Sequence, residues 1–544
     1  MHTRSRRRAL RALAATAIGS VLLAGGTGNP ATADVGNQFD QLSPRTHFTM
    51  APDGSSGTTE GGEGIANIDS VKSTIRTYYG ATSAGISNKT SSPYISELKA
   101  IEAAQWDYLE KARDAAHAAD RKPAIVFDAD DTTLWTYDME DNAMHFNFDP
   151  VLQNTWVQEG RFPATPGMVA FVNQARKRGF AIFGITGRRH AQEDATLANL
   201  DSVGYQPFKD KNFFTKWDGA DTNKPSYIVC VSACTTVEYK AYTRKYIESQ
   251  GFDIVLNVGD QWSDLQGGYA DRALKLPNPT YYLPSPNLPG VSEPSLAPRT
   301  EFTMAPDGSS GLTEGGEGIP NIDSVKSTIR TYYHASSAGI SDKNSSPYIS
   351  ELADMEADLQ PTLVQECADQ VAAGGHPAIV FDADDTTLWT YDMEDNAMHF
   401  HFDPVVQDRE WVQPQRFPAT PGMPALVNAV GNAGCTVVGL TGRRTNQRAA
   451  TLGNLAKVGY TVFTDANYYT KWASGATPDP AIYPPGTPCN DGVCTTIEYK
   501  SATRAYVESQ GLDIIANFGD QFSDLIGGYA DRTVKLPNPT YYLP

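Results

Sequence analysis

The chain has 544 residues, too many for one ordinary hydrophobic core, so two or more domains are expected. Its residues are 40% hydrophobic and 20% charged, as in a soluble globular protein. The formal net charge of −19 at pH 7 argues against a nucleic-acid polymer as partner, because such partners favour basic surfaces. An anionic substrate would have to be attracted locally, by a metal ion or a few cationic side chains.

The first 33 residues have the layout of a secretion signal. Residues 1–11 contain several arginines and no acidic residue, residues 12–25 are rich in alanine and leucine, and Ala31-Thr32-Ala33 is an A-x-A cleavage site. The arginine cluster also resembles a twin-arginine signal, and an ordinary basic segment explains it equally well. We expect a secreted protein, exported by the Sec or the twin-arginine route, with no membrane segment after cleavage.

The chain contains two long copies of one sequence. RTHFTMAPDGSSG from Arg45 returns as RTEFTMAPDGSSG from Arg299, and KLPNPTYYLP closes both copies. A period of about 255 residues indicates two complete domains rather than a solenoid. The expected order is a Gly-rich coil over 34–66, a domain over 67–284, a Pro- and Ser-rich linker over 285–298, a second coil over 299–320 and a second domain over 321–544.

Apolar periodicity within the first domain predicts helices that alternate with strands. Helices are expected over 67–80, 96–119, 165–178, 191–203 and 235–250. Buried strands are expected over 124–127, 180–185 and 252–258, with a short one over 208–214. This alternation predicts an α/β fold with a mostly parallel sheet that helices cover on both faces.

Polar residues follow the predicted strands or begin a helix. In the first domain they are Asp128, Asp130, Thr186, Lys240, Asp260 and Asp264. Because the carboxyl ends of parallel strands meet at one edge of a sheet, we expect the strand-end residues to lie together. Carboxylates from two loops suit Mg²⁺, a carboxylate can attack phosphorus, and a lysine with a hydroxyl can hold phosphoryl oxygens. The set therefore predicts phosphoryl chemistry.

Four motifs, DADDTT, ITGRR, EYK and GDQWSD, occur in this order and resemble those of the haloacid dehalogenase (HAD) superfamily. The resemblance is to its secreted acid phosphatases, the class B and plant vegetative storage protein branch. It covers most of 67–284 and 321–544. It implies two tandem HAD-like Rossmannoid domains, each a mostly parallel sheet flanked by helices, with a small cap inserted between the first two motifs. It also implies hydrolysis of small phosphomonoesters through an aspartyl-phosphate.

The resemblance gives each motif residue a role in catalysis or phosphate binding. Asp128 would be the nucleophile. Asp130 would protonate the leaving oxygen and later activate water. Thr186, backbone N–H groups around Gly187, and Lys240 would bind the phosphate.

The resemblance also implies a Mg²⁺ site in each domain. Asp128, Asp260 and the backbone carbonyl of Asp130 would hold the metal, and Asp264 would support Lys240 or a water on the metal. The second domain repeats the whole set as Asp382, Asp384, Thr441, Gly442, Lys500, Asp520 and Asp524. Both domains are therefore expected to be active.

The cysteines fall into two groups. Cys230 and Cys234 in the first domain, and Cys489 and Cys494 in the second, precede the same TT-x-EYK segment. Two local disulfides are expected, because the alternative of a zinc site lacks a nearby second pair of ligands. The remaining two occur only in the second domain and are expected to stay buried free thiols: Cys367 and Cys435.

The stretch over 136–163 is longer than the fold requires and predicts a small cap over the sheet edge. Five aromatic residues are expected to form the cap's own core, with stacking on an aromatic leaving group as the alternative: Trp135, Tyr137, Phe146, Phe148 and Trp156. Two interpretations also stay open for the arginines of ITGRR, Arg188 and Arg189. They either attract an anionic substrate or are surface charge.

Three alternatives to a hydrolase are a calcium-binding loop, a phosphotransferase and a storage or binding protein. A calcium loop counted from Asp128 would need glycine at its sixth position and glutamate at its twelfth, where Thr133 and Met139 stand. Phosphotransfer to an alcohol would use the same residues as hydrolysis. A secreted storage or binding protein with vestigial activity is the third, and the intact nucleophiles argue against it.

Overall fold

A computed structural model describes residues 65–283 and 319–543, apart from 218, 220–223, 232 and 474, and the backbone of 45–46 and 299–301. The predicted secretion signal and the predicted linker over 285–298 lie outside the described residues. We call the two duplicated domains repeat 1 (67–284) and repeat 2 (321–544). No helix among the described residues is both long and apolar enough to cross a bilayer.

Helices alternate with strands along repeat 1. The strands, with one that precedes the repeat, are β1 (Arg45–Thr46), β2 (Lys122–Phe127), β3 (Ala181–Arg189), β4 (Phe213–Lys216), β5 (Phe252–Gly259) and β6 (Arg272–Lys275). The helices are α1 (Ile68–Tyr79), α2 (Pro93–Ala104), α3 (Trp106–Ala118), α4 (Pro150–Gln158), α5 (Met168–Lys177), α6 (Glu193–Ser202), α7 (Thr236–Ser249) and α8 (Trp262–Leu265).

Repeat 2 follows the same order. Its strands, again with one that precedes the repeat, are β7 (Arg299–Glu301), β8 (Pro377–Phe381), β9 (Thr436–Arg444), β10 (Tyr468–Lys471), β11 (Asp513–Gly519) and β12 (Arg532–Lys535). Its helices are α9 (Ile322–Tyr332), α10 (Pro347–Ala372), α11 (Met423–Asn432), α12 (Arg448–Lys457), α13 (Thr496–Ser509) and α14 (Phe522–Leu525).

Each repeat contains a fully parallel sheet, as predicted. The first sheet has the strand order β4-β3-β2-β5-β6-β7, and the second has β10-β9-β8-β11-β12-β1. In the first sheet, Phe127 lies opposite Gly184 of β3 and Val258 of β5. This register brings the residues that follow β2 and β5 to one edge, where polar groups from separate parts of the chain can meet.

Each sheet ends in a short strand from the segment that precedes the other repeat. β7 pairs with β6 of repeat 1, and β1 pairs with β12 of repeat 2. Both strands lie in stretches that the sequence predicted as coil, 34–66 and 299–320, so the coil prediction is corrected there. Strands of two or three residues show no periodicity, and only their tertiary pairing defines them.

The hydrophobic core is shared between the repeats. One apolar cluster on the α1 and α9 side of the two sheets contains residues of both repeats, among them Tyr79 and Tyr333, and α1 packs on α9. The opposite face of each sheet has a separate cluster, around Tyr239 in repeat 1 and Tyr499 in repeat 2. The two repeats therefore pack against each other through a shared hydrophobic core.

Two predicted elements of repeat 1 differ from the structure. The single helix expected over 96–119 is two helices, α2 and α3. The Gln105 backbone N–H donates to the Glu102 carbonyl three residues back, and this tightens the turn between them. The matching α10 of repeat 2 is continuous. The strand expected over 208–214 is shorter and later, at 213–216.

All six cysteines are paired. The two predicted disulfides, Cys230–Cys234 and Cys489–Cys494, are confirmed. The prediction of free thiols for the other two is wrong, because Cys367 of α10 bonds Cys435 just before β9, with Cα atoms 5.2 Å apart. Sequence inspection missed this bond because 68 residues separate the partners and only the packing of helix on strand brings them together.

Candidate active site

The predicted residues of repeat 1 meet at the carboxyl edge of its sheet. Asp128 and Asp260 directly follow β2 and β5, and Thr186 lies within β3 near its end. Lys240 is in the second turn of α7, and Asp264 is in the short helix α8. A cavity of about 740 Å³ opens over this edge. The residues lining it include Asp128, Asp130, Gly187, Lys240 and Asp264.

Lys240 joins two of the carboxylates. Its Nζ lies 2.5 Å from Asp128 Oδ1 and 2.6 Å from Asp264 Oδ1, and all three side chains are buried. Asp264 is itself fixed, because its Oδ2 accepts a hydrogen bond from the Gln261 backbone N–H at 2.9 Å. Burial lowers the pKa of Lys240, but the two carboxylates outweigh this and raise it above its ordinary value. The ammonium therefore stays charged beside Asp128.

Asp260 is held by three donors on one oxygen. Its Oδ2 accepts hydrogen bonds from Asn278 Nδ2 at 2.8 Å, Gln261 Nε2 at 2.8 Å and the Tyr281 hydroxyl at 3.0 Å. Burial, with Asp264 nearby, raises the pKa of Asp260 to about 6. The three donors fix the carboxylate and leave its other oxygen for a further partner.

The carboxylates fit a divalent cation. Oxygens of Asp128, Asp260 and Asp264 lie within 4.8 Å of one another, and the equivalent residues of repeat 2 form the same group. In repeat 2 the Oδ1 atom of Asp520 is buried and accepts no hydrogen bond from any described residue. A buried carboxylate oxygen without a donor is costly unless a cation binds it. The donor set consists of hard oxygens and can therefore hold a metal.

The Asp130 side chain lies outside this carboxylate group and pairs with Arg188. Arg188 Nη2 is 2.6 Å from Asp130 Oδ1, and Nε is 3.1 Å from Oδ2. Arg188 is buried, and its Nη1 donates to Thr196 Oγ1 at 2.9 Å. The interpretation of Arg188 as surface charge is therefore wrong, because the residue is a buried ion-pair partner. Attraction of an anionic substrate stays open for it, because Arg188 also lines the cavity. Arg189 lines the cavity as an exposed cation.

Gly187 lines the cavity, and Thr186 precedes it in the chain. Thr186 is buried, and its Oγ1 accepts a hydrogen bond from the Arg188 backbone N–H at 3.1 Å. A Cβ atom at Gly187 would meet only Thr236 Cγ2, at 4.0 Å, so the backbone there faces open space. This leaves room for a ligand to approach the main chain.

Repeat 2 reproduces this geometry. Lys500 Nζ lies 2.5 Å from both Asp382 Oδ1 and Asp524 Oδ1. Arg443 Nη2 lies 2.5 Å from Asp384 Oδ1. Thr441 Oγ1 accepts from the Arg443 N–H, and no atom obstructs a Cβ at Gly442. The chain thus contains two sites with the same polar arrangement.

The aromatic residues of the predicted cap are mostly buried, but the prediction that they form a core of the cap alone is wrong. Trp135 packs on Tyr94 of α2 and Tyr137 on Tyr79 of α1, with ring centroids 5.3 and 4.0 Å apart, within the cluster that both repeats share. Trp135, Tyr137 and Phe146 are buried, and Trp156 is half-buried. Phe148 is the exception, because it is 64% exposed and lines the cavity. It is the aromatic side chain of this set that a leaving group can reach.

The four motifs gave no sign of the residues that support the carboxylate group. Asp131 is buried with φ +46°, and its Oδ1 accepts from the Thr136 N–H at 3.0 Å, which closes the turn after β2. Asn278 and Tyr281 lie in KLPNPTYYLP, the segment that closes both copies. Asn278 donates to Asp131 Oδ2 at 3.3 Å as well as to Asp260. The repeated segment was visible, but its contact with Asp260 depends on tertiary structure.

The comparison with known families agrees with this geometry. The family model described as HAD superfamily, subfamily IIIB (Acid phosphatase), matches residues 77–284 and 342–544, well over half of the chain. The chain belongs to this HAD subfamily. Each matched range contains one complete set of the four motifs.

Curated relatives align over part of the chain. A stem 28 kDa glycoprotein of Glycine max is 34% identical over 30% of this chain and 61% of its own length. Acid phosphatase 1 of Solanum lycopersicum is 32% identical over 32% of this chain and 64% of its own. Vegetative storage protein 1 of Arabidopsis thaliana is 30% identical over 36% of this chain and 67% of its own length. The chain thus spans about three fifths of the first two relatives.

A solved structure is also similar. The class C acid phosphatase from Bacillus anthracis matches 36% of this chain and 71% of its own, with 24% sequence identity and a TM-score of 0.27.

Proposed function

We propose that the chain is an exported, Mg²⁺-dependent phosphomonoesterase with two active sites, each of which works through an aspartyl-phosphate. The observation that carries the proposal is the Lys240 ammonium held between Asp128 and Asp264, with Asp260 beside them. One cation and several carboxylates at a cavity suit phosphoryl transfer, where charge stabilisation dominates catalysis. Membership of an acid phosphatase subfamily supports the same reaction.

The first step transfers the phosphoryl group to Asp128. An Asp128 carboxylate oxygen attacks phosphorus, and the bond from phosphorus to the leaving oxygen breaks. Asp130, in its protonated form, gives its proton to that leaving oxygen, and the alcohol departs. Lys240, the Thr186 hydroxyl and the backbone N–H groups near Gly187 hold the phosphoryl oxygens.

The second step returns Asp128 to its starting form. Water attacks phosphorus, and Asp130, now a carboxylate, accepts a proton from that water. The bond between phosphorus and the Asp128 oxygen breaks, and inorganic phosphate leaves. Arg188 holds Asp130 by two hydrogen bonds and keeps it on one side of the cavity through both steps.

Asp128, Asp260 and the Asp130 carbonyl would hold Mg²⁺, with Asp264 close enough to contribute. The bound ion supplies positive charge for the phosphoryl oxygens and offsets the acidic surroundings of the nucleophile. Mg²⁺ fits because the donors are all hard oxygens.

Secretion by the Sec or the twin-arginine route is part of the proposal. It rests on the basic, then apolar N-terminus with its A-x-A site, and the three disulfides are compatible with an oxidising compartment. The expected substrate is a small phosphomonoester, and neither a nucleic-acid polymer nor a membrane is needed as partner.

The decisive experiment removes both nucleophiles. The double variant Asp128→Asn with Asp382→Asn should lose hydrolysis of a chromogenic phosphomonoester by at least about a thousandfold while its circular dichroism stays unchanged. Chelation of divalent cations should stop the wild-type chain, and added Mg²⁺ should restore it. Full turnover by the folded double variant would exclude the aspartyl-phosphate mechanism.

The vegetative storage protein relative favours one alternative, a storage protein with vestigial activity. Negligible turnover of the wild-type chain across a panel of phosphomonoesters would support that alternative. Phosphotransfer would instead show as phosphorylated alcohols among the products.

A further inference from the structure

The first helix of repeat 2 begins against the active-site support of repeat 1. Asn321 Nδ2 donates hydrogen bonds to the carbonyl oxygens of Asn278 at 3.1 Å and Tyr281 at 2.8 Å. The Ile322 N–H donates to the Pro279 carbonyl at 2.9 Å. Asn321 and Ile322 are fully buried. A segment of repeat 1 is thus fixed by three hydrogen bonds from two donor groups of repeat 2.

The same contacts occur in the opposite direction. Asn67 Nδ2 donates to the carbonyl oxygens of Asn538 at 3.2 Å and Tyr541 at 2.7 Å, and the Ile68 N–H donates to Pro539 at 3.0 Å. The interface is therefore reciprocal, because the first helix of each repeat donates the same hydrogen bonds to the closing segment of the other repeat.

The segment that repeat 2 fixes in turn holds a metal carboxylate. Asn278 and Tyr281 supply two of the three donors on Asp260 Oδ2, and Tyr281 lines the cavity. A continuous chain of hydrogen bonds therefore runs from Asn321 through the backbone of 278–281 to Asp260. Partners of this kind orient metal ligands, and their loss reduces metal affinity or activity.

Two further residues of repeat 2 reach site 1. Asp323 lines the cavity, and its Oδ2 accepts a hydrogen bond from the Tyr282 N–H at 3.1 Å. The buried Lys326 ammonium donates to the Phe146 carbonyl in the cap and to Asp323 Oδ1 at 3.2 Å. The helix α9 thus ties together the cap and the supporting segment of a site whose reacting groups all come from repeat 1.

We propose that each active site is completed by the other repeat. Asn321, Asp323 and Lys326 are positioning residues of site 1. Their counterparts for site 2 are Asn67, Asp69 and Lys72. The proposal rests on the proposed function for its activity readout, but its geometric content concerns Asp260 and Asp520 themselves. It also gives a structural reason for the tandem duplication, because in one repeat alone the supporting segment and the cap would lack these contacts.

The test uses the full chain with one site silenced. In the background D382N/D520N only site 1 contributes activity, and Asn321→Asp is added to that background. This change keeps the Oδ1 that caps its own helix by accepting from the Asp323 N–H, and replaces the donor to repeat 1 with an acceptor. We expect kcat to fall about tenfold, and the Mg²⁺ dissociation constant from isothermal titration calorimetry to rise about tenfold.

The matched control in the same background is Asn67→Asp. It is the same substitution at the equivalent position of the duplicate, but its carbonyl partners belong to the silenced site. The kcat of site 1 should therefore be about tenfold higher in this control than in Asn321→Asp, and close to that of the background itself. In the opposite background, D128N/D260N, the order of the two variants should reverse. This crossover distinguishes positioning across the interface from a general loss of stability, which would not depend on the background.

Circular dichroism and the melting temperature establish that each variant is folded. If Asn321→Asp does not fold, Lys326→Met with Lys72→Met as its control repeats the test through the cap contact. The proposal would be overturned if each variant impaired the site of the repeat that carries it. It would also be overturned if neither kcat nor the Mg²⁺ dissociation constant changed. Absence of activity from the wild-type chain would instead refute the phosphatase function, and the Mg²⁺ titration would still show whether the crossover exists.

Discussion

At the scale of single residues, the contact between Arg188 and Asp130 has the clearest consequence for catalysis. In the proposed mechanism Asp130 gives a proton to the leaving oxygen and later takes one from water, so its carboxyl has to stay within reach of the reacting group. Its side chain is 27% exposed, whereas that of Arg188 is 1% exposed. The buried arginine, fixed by Thr196 on its other side, is thus the rigid partner that limits where the carboxyl can move.

Replacing Arg188 should reduce the rate of the chemical step more than substrate binding. In the background D382N, Arg188→Met should lower kcat about 10- to 100-fold with a smaller change in KM, because Asp130 loses its fixed position while the phosphate ligands stay. Steady-state kinetics with a chromogenic phosphomonoester measures both constants.

The neighbouring Arg189 offers a control of equal charge. Arg189→Met removes one cation from the cavity wall without touching Asp130, so KM should rise while kcat stays nearly constant. Equal effects of the two variants on kcat would show that charge, and not the contact with Asp130, is what matters.

At the scale of elements, the junction of α2 and α5 contains a partly buried acid, Glu102. Glu102 of α2 packs on Gly167 at the start of α5, where φ is +82° and a Cβ would collide with the carboxylate. Its Oε1 is buried and accepts no hydrogen bond from a described residue. Burial raises the pKa of Glu102 to about 7, with Lys99 acting in the opposite direction. Glu356 of α10 occupies the same position in repeat 2, and burial raises its pKa to about 7.

These two acids should make the folded state more stable in acid than at neutral pH. Their pKa in the folded state exceeds the ordinary 4.5, so the folded chain binds more protons between about pH 4.5 and 7. The stabilisation is complete below pH 4.5 and is lost as the pH rises through 7. Partial exposure limits each contribution to about 1–2 kcal/mol.

The double variant Glu102→Gln with Glu356→Gln tests this account. Relative to the wild type, its free energy of unfolding should rise at pH 8 and change little at pH 4.5, because the amide is neutral at both values. Denaturant melts at the two pH values measure the difference. The exposed Glu159→Gln is the control and should alter neither value, and a variant less stable than the wild type at pH 8 would contradict the assignment.

At the scale of the whole molecule, two complete sites share one packed body. Each has its own proposed nucleophile, its own lysine and its own group of carboxylates that could hold a metal, and the residues that we propose as positioning residues lie across the boundary. Conservative replacement of one nucleophile should therefore leave the other site intact.

Each single nucleophile variant should retain about half of the hydrolytic activity. We expect this of Asp128→Asn and of Asp382→Asn, measured as total kcat per chain at saturating substrate. If either variant alone removed nearly all activity, one site would be silent in the wild type, or the sites would depend on each other during turnover.

The sequence by itself determined what local pattern and covalent chemistry decide. Apolar periodicity predicted the strands that carry Asp128 and Asp260, because a buried strand and an amphipathic helix each leave a short-range signature. The four motifs in order predicted the reacting groups and the family, and the spacing of Cys230 and Cys234 predicted a local disulfide. The duplication was visible as a period of about 255 residues.

Only the tertiary structure decided which distant residues meet. The Cys367–Cys435 bond, the ion pair of Arg188 with Asp130 and the exchange of β1 and β7 join positions whose separation leaves no local signal. The same holds for Asn321, which caps its own helix and also donates hydrogen bonds to the other repeat. Packing brings such groups together because burial of apolar surface is non-directional, and the buried polar groups must then find partners wherever the chain has placed them.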